Sequence, residues 1–267
     1  MFDEGMTMAA YESYEQENMA YWTNRAPGYS AVHQNELSSS QRDVWRRTLL
    51  RHIEAACGKE RASSIRVLDV GTGPGFFAIL LAEQGYEVTA VDYTVSMLEE
   101  AERNAGRLGR SIRFCRMNAE QLAFGDGAFD VVVTRNLTWN LPHPDKAYGE
   151  WQRVLKPGGL LLNFDANWYR YLYDEEARQG YMEDREHIRR SGVADETDGT
   201  DIPAMEAIAG KAPLSGRVRP QWDLDILRRL GMDAVADEEI WKTVWTREER
   251  INNGSTPMFM IKAVKQL

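Results

Sequence analysis

Five residues in the first third of the chain have the types and spacing to hold a nucleotide-like ligand: Asp69, Gly71, Gly73, Gly75 and Asp92. The glycines fall within five positions, straight after an apolar run, in VLDVGTGPGFF. Glycine has no Cβ, so such a turn lets a ligand lie against the backbone. Asp92 closes the next apolar run. Asp69, at the strand end, can serve a ligand or cap the turn that follows it. The nicotinamide fingerprint asks for glycine at the first, third and sixth places of the turn, and the sixth is Phe76. A P-loop asks for Lys-Ser or Lys-Thr after the turn, and neither follows. A nucleotide-type pocket of another kind is what these residues leave.

A turn of this sort works at the carboxyl edge of a parallel sheet, and the pattern after Arg66 supplies one. Apolar runs at 67–70, 87–91, 112–117, 129–134 and 160–164 alternate with helix-like stretches at 76–84, 96–108 and 144–154. Strands separated by helices of about ten residues predict a doubly wound, Rossmann-like α/β sheet covered on both faces. Residues 1–60 read as a helical lead-in, with Tyr11, Tyr14, Asn18 and Tyr21 at three-to-four spacing, a break at Ala26-Pro27-Gly28, and an amphipathic run over 44–56. Between 166 and 220 the rhythm gives way to a polar, aromatic stretch, and long excursions of this kind usually lie over an active site. It resumes with a helix over 224–230, a strand near 240–246 and a last strand over 258–263. The expected organisation is a helical N-terminal lid (1–60), a cofactor-binding α/β core (61–165), a cap insertion over the acceptor site (166–220), and a C-terminal helix and strands completing the sheet (221–267).

Composition narrows the partners. At 267 residues and 43% hydrophobic, the chain suits one large domain. Its formal net charge of -9 argues against a broad phosphate-binding face, because nucleic-acid affinity rests on clustered Lys and Arg. Cys57 and Cys115 are too few for a disulfide framework or a cysteine zinc cluster, and are expected to be reduced and mostly buried. The first residues carry acids where a signal peptide needs a basic patch and an apolar stretch, and no apolar run is long enough to span a bilayer. A cytoplasmic protein with no membrane partner is expected. Nothing in the pattern speaks to oligomeric state.

Five landmarks in order resemble the class I S-adenosylmethionine-dependent methyltransferases. They are D-V-G-T-G-P-G at 69–75; Asp92; Asn118-Ala119-Glu120 with Leu122 and Phe124; FDVVVTRNLTWNL; and RVLKPGGLLL. YWTNRAPGYS near the start resembles that family's W-x-x-R-A-x-x-Y element, which folds over the cofactor. The resemblance covers about residues 20–165 and implies S-adenosyl-L-methionine as cofactor. It implies that Gly71, Thr72 and Gly73 pass beneath it, that Asp69 reaches its ammonium, and that Asp92, with Tyr93 and Met97, takes the ribose side. Asn118, Ala119 and Glu120 would face the adenine, Arg135 and Asn136 would present backbone at the fourth strand's end, and Tyr21 and Arg25 would close from the lead-in. Transfer from a sulfonium is an in-line displacement in which positioning and water exclusion dominate.

The acceptor side offers fewer signals. Of four histidines, His143 in NLPHPD follows the fourth strand and is the candidate base, with Trp139 beside it. His33 lies in the lead-in that would cover the pocket, whereas His52 and His187 sit on charged helical faces. Trp22, Tyr29, Trp139, Tyr169 and Trp222 could wall a planar acceptor. Arg217 and Arg219, two apart in LSGRVRPQWD, would point to one side of an extended segment, there either to clamp a carboxylate or to pair with the neighbouring acidic run. The Asn/Asp-Pro-Pro-aromatic tetrad of nucleic-acid amino methylation is replaced by Arg135-Asn136-Leu137-Thr138. Two thiols are few for arsenic methylation, and no carboxylate cluster suggests a metal. The expected activity is methyl transfer to oxygen, nitrogen or sulfur of a small molecule; the alternatives are a non-catalytic regulatory or scaffold protein that keeps the cofactor pocket and, more distantly, a nicotinamide-dependent oxidoreductase.

Overall fold

The structure is a computed structural model that describes residues 8–58 and 61–267, with side chains from Ser13 onward. Tyr11 and the first seven residues of the expected lid therefore lie outside the described side chains. The first element, α1 (Met8–Ser38), is one helix of 31 residues. The break expected at Ala26-Pro27-Gly28 does not occur. Proline cannot donate to the carbonyl four residues back, here that of Thr23, and the Ser96 hydroxyl donates to that oxygen instead at 3.4 Å. Next comes α2 (Gln41–Cys57), which buries Trp45, Leu49 and Ile53.

Strands and helices then alternate as the apolar rhythm predicts: β1 (Arg66–Val70), α3 (Phe76–Ala82), β2 (Glu87–Asp92), α4 (Val95–Ala105), β3 (Ile112–Arg116), β4 (Phe129–Arg135), α5 (Pro144–Val154) and β5 (Leu155–Asp165). The stretch expected to be a cap contains two helices the pattern does not announce, α6 (Glu175–Ser191) and α7 (Ile202–Ala209). Each starts at an aspartate whose side chain accepts an amide of the first turn, Asp174 from Ala177 and Asp201 from Ala204. Because α6 fully buries only Ile188, it shows no apolar face in the sequence.

The chain ends with α8 (Gln221–Arg229), β6 (Met232–Asp237), a short α9 (Trp241–Val244), α10 (Arg247–Asn252) and β7 (Phe259–Lys265). The strand expected near 240–246 is thus helical. Trp241 and Trp245 read as strand aromatics, but they pack four apart on a helical turn, and Thr246 forms a capping box with Glu249 that starts α10. The true strand, β6, is an edge strand in which Met232 and Ala234 are buried while Val235 is exposed. That short alternation is easily missed.

The seven strands form one sheet in the order β3-β2-β1-β4-β5-β7-β6. Strands β1 to β5 are parallel, and β7 runs antiparallel between β5 and β6, so the sheet is mixed where the sequence pattern predicts parallel pairing. One face packs Trp45, Phe76, Phe77 and Leu80, the other Tyr148, Trp151 and Leu227. A third apolar cluster, Tyr14, Trp139, Met205, Ile208 and Ala209, ties α1 to α7 and to the turn after β4. Both cysteines are half-buried, more exposed than expected.

Candidate active site

Strand order reverses at β1 and β4, since β1 leads to β2 on one side and β4 to β5 on the other. Loops leaving such a pair diverge and open a crevice at the carboxyl edge. Gly71 starts the turn there at φ +66°, and a Cβ on it would fall 2.7 Å from two Leu137 carbons. Asp69 shapes the same turn from below: its Oδ2 accepts the Thr72 hydroxyl at 2.7 Å and the Ala78 amide at 3.0 Å. It is therefore a cap for the start of α3, and burial pushes its carboxyl up to about 7. Asp92 accepts the Gly73 amide through Oδ2 and the Thr94 amide through Oδ1, each at 2.9 Å. Burial raises its pKa as well. A carboxylate has about four lone-pair sites, so Asp92 keeps acceptor capacity for a diol.

These groups line one wall of a cavity of about 350 Å³. It gathers Asp69, Gly71, Thr72, Gly73, Asp92, Tyr93, Met97, Asn118, Ala119, Arg135 and Asn136 from the residues the sequence points to for a cofactor. Trp22, Tyr29, His33, Trp139 and Tyr169 from the expected acceptor set line it too. Opposite the glycine turn, rings form a ladder: Trp139 to Tyr169 at 4.9 Å, Tyr169 to Tyr171 at 5.8 Å, and Tyr171 stacked on Tyr181 at 4.1 Å.

Seven expected residues do not line this cavity, each for a visible reason. Arg219 is buried and ion-paired: its Nη1 donates to Asp165 at 2.8 Å, and its Nε and Nη2 to Asp223. Arg217 lies exposed in a turn, not in an extended segment, so the two arginines do not form a clamp. Trp222 sits on α8 against Tyr148, on the far face of the sheet. His143 is the N-cap of α5, and its amide donates to Glu120 at 2.7 Å. This bond also explains Glu120, which braces that loop; burial raises its carboxyl to about 7. Tyr21 packs edge-on against Trp22, and Arg25 lies back along α1, where its Nη1 would meet a Cβ at Gly28.

Residues the pattern does not single out complete the walls. Glu15, Asn18 and Met19 join Trp22, Tyr29 and His33 from α1; their three-to-four spacing marks one helical face. Met117, Leu137 and Asn140 come from the loops after β3 and β4. The far end is polar, with Asp184, Arg185, Thr197, Asn252 and Asn253. Nothing local to those residues announces it, since α6, α10 and the intervening loop meet only in the fold.

The cavity has its own electrostatics. Arg135, at the end of β4, donates from Nη2 to both Glu36 oxygens at 2.7 and 2.9 Å. Burial and the Arg135 charge hold His33 well below its ordinary pKa, so the imidazole is neutral. Trp22 Nε1, His33 Nδ1 and Nε2, Arg135 Nη1, Asn136 Oδ1 and Trp168 Nε1 are buried without a hydrogen-bond partner in the protein. Open glycine backbone, spare capacity on Asp92 and these atoms fit a cofactor with a diol at one end and polar groups at the other. Among the described residues, no group of three or more His, Cys, Asp or Glu is arranged for a metal ion, and no helix is long and apolar enough to cross a membrane.

A glycine turn, a strand-end acid and a crevice at the switch point define a nucleotide-type cofactor fold of the Rossmann-like class. Residues 68–163 match the methyltransferase domain family, so this segment of the chain is a methyltransferase domain by that likeness. A demethylmenaquinone methyltransferase of Thermus thermophilus is 39% identical over 140 residues, which is 51% of this chain and 60% of that protein. A ubiquinone/menaquinone biosynthesis C-methyltransferase of Bartonella tribocorum is 35% identical over 148 residues, 52% of this chain and 55% of that one. The chain thus spans less than two thirds of the length of these relatives. Among solved structures, geranyl diphosphate C-methyltransferase of Streptomyces coelicolor A3(2) shares the fold, with a TM-score of 0.57 at 15% identity, covering 84% of this chain and 79% of that one.

Proposed function

We propose that this chain transfers the methyl group of S-adenosyl-L-methionine to a planar small molecule bound beneath α1 and the cap. One observation carries the reading: a single cavity has the glycine turn, Asp92 and Asn118 on one wall and the Trp139–Tyr181 ring ladder on the other. When bound, the cofactor supplies an electrophilic methyl on a sulfonium. Gly71, Gly73, Asp92, Asn118 and Ala119 line the cavity and would hold the cofactor, Asp92 by accepting from a diol.

On the acceptor side the rings fix a flat molecule by stacking and exclude water, which favours a displacement in which charge is neutralised. Neither histidine suits a general base. His143 lies outside the cavity, and Arg135 opposes a second proton on His33. The acceptor is thus one that is nucleophilic by its own acidity, held by position. The relatives' names, demethylmenaquinone and ubiquinone/menaquinone, favour a quinol-type ring, and the Bartonella protein's name adds carbon to the acceptor atoms weighed from the sequence.

The test is turnover with S-adenosylmethionine against a naphthohydroquinone, a simple phenol, an alkylamine and an alkylthiol, read by mass spectrometry of the acceptor. Methylation of the naphthohydroquinone above the other three is expected. Saturable cofactor binding with no methylation of any acceptor would favour the regulatory alternative.

A further inference from the structure

We propose that Asp184 selects the acceptor by taking a protonated amine, carried on a short arm of the planar molecule that lies along the Trp139–Tyr181 ring ladder. The inference rests on the planar-acceptor reading of the cavity and adds the charge of the acceptor's side arm.

Asp184 stands one helical turn beyond the last ring of the ladder. Tyr181 and Asp184 are three apart on α6, so they share a face of that helix, with Cβ atoms about 5–6 Å apart. Tyr181 stacks on Tyr171 at 4.1 Å, and both rings line the cavity together with Asp184. The carboxylate is held by the turn before β7: its Oδ2 accepts the Ser255 amide at 2.9 Å and the Ser255 hydroxyl at 2.6 Å. Gly180 lets this contact close, since a Cβ there would fall 2.8 Å from the Ser255 Cβ. Oδ1 has no hydrogen-bond partner among the described residues.

Nor does any Lys or Arg among the described residues form an ion pair with Asp184. Its neighbour Arg185 gives Nη1 to Asp195 at 2.7 Å and Nη2 to the Asn252 carbonyl at 2.6 Å, and its guanidinium lies over the Tyr181 ring at 5.2 Å. Asp184 also lines a second, open groove, which shares Tyr171 and Thr256 with the cavity. Among the described residues of that groove the one basic side chain is Arg170, paired with Asp174 at 2.9 Å. An arm that reaches Asp184 therefore meets no unpaired cation on either side.

A half-buried carboxylate with a spare oxygen, one turn from stacked rings, matches an ammonium group attached to an aromatic ring. Its bond to the carboxylate is charge-assisted, and ring faces attract the same cation. A hydroxyl would gain one ordinary hydrogen bond, and a carboxylate would meet like charge. Both α6 and the turn at 254–257 lie outside residues 68–163, so the matched methyltransferase segment does not supply this selectivity.

Calorimetric titration of the full chain, saturated with S-adenosylhomocysteine, reads the selectivity without turnover. Three probes share a naphthalene ring: 2-(1-naphthyl)ethylamine, 2-(1-naphthyl)ethanol and 1-naphthylacetate. At neutral pH the wild type is expected to bind the amine at least tenfold more tightly than the alcohol, and the acetate more weakly than either. In Asp184→Asn the amine–alcohol gap should shrink below threefold, with alcohol affinity held within threefold. Glu176→Gln, which removes an acid of the groove that does not line the cavity, should leave the gap within twofold of the wild type. Should Asp184→Asn fail to fold, the wild-type ranking and Glu176→Gln carry the test. No wild-type preference for the amine overturns the proposal, as does tightest binding of the acetate, which would make Arg185 the reader. An equal loss of all three probes in Asp184→Asn overturns it too, as does a gap lost equally in Glu176→Gln, the mark of a diffuse acidic field. If S-adenosylhomocysteine binds and none of the probes does, the planar-acceptor reading falls and takes this one with it, an outcome distinct from binding without amine preference.

Discussion

The Asp92 carboxylate accepts the Gly73 amide at 2.9 Å, so one side chain at the end of β2 fixes the glycine turn that leaves β1. The same acid faces the cavity. Replacement by alanine removes a ligand acceptor and also frees a turn amide. Asp92→Ala is expected to weaken S-adenosylhomocysteine binding at least tenfold, about 1.4 kcal/mol, the scale of a lost charged hydrogen bond. Calorimetry checks this, and unchanged affinity would contradict a ligand role for Asp92.

Gly71 tests the cradle. An alanine there would carry φ +66° and place a Cβ 2.7 Å from Leu137, whereas Gly85, at φ +84°, has open space around the same position. Gly71→Ala should lose cofactor affinity and about 1–3 kcal/mol of stability. Gly85→Ala should show only the backbone strain, about 1 kcal/mol, with affinity intact. Urea unfolding and calorimetry on both variants read the difference.

Arg219 serves the fold and not the substrate. Its removal leaves Asp165 and Asp223 buried and uncompensated. Arg219→Met should cost about 3–5 kcal/mol, and exposed Arg217→Ala under about 0.5 kcal/mol. Equal, small effects in chemical denaturation would contradict this division.

Two buried carboxyls, Asp69 and Glu120, are raised to about 7, chiefly by burial. The folded state therefore binds their protons more tightly than the unfolded chain, and stability falls as pH rises from about 4.5 toward 7. Glutamine at 120 keeps an oxygen for the His143 amide but cannot ionise. Glu120→Gln should gain on the order of 2 kcal/mol over the wild type between pH 5 and pH 8. A gain independent of pH would show that Glu120 does not titrate in this range.

Much of the fold was legible because buried parallel strands write continuous apolar runs, and Gly71, Gly73 and Asp92 sit where local pattern and topology agree. The cofactor wall follows from those segments. The acceptor wall does not, because Tyr181, Arg185 and Asn252 come from elements that meet only when α6 and α10 pack. Arg219 misled through its spacing: a two-residue alternation implies a shared side only in extended chain, and this segment turns. Pro27 misled because the Thr23 carbonyl, which the proline leaves without its helical donor, accepts from Ser96, seventy-three residues further along the chain. His143 looked available in NLPHPD, yet Glu120 holds its amide and the loop carries the ring outside the cavity.

The most direct test of the central claim is isothermal titration of the full chain with S-adenosylmethionine and S-adenosylhomocysteine, with NADH as control. Saturable one-to-one binding of both sulfur ligands and none of NADH is the predicted result. Failure of both to bind, or binding of NADH alone, would contradict the assignment of the glycine turn and Asp92 to this cofactor.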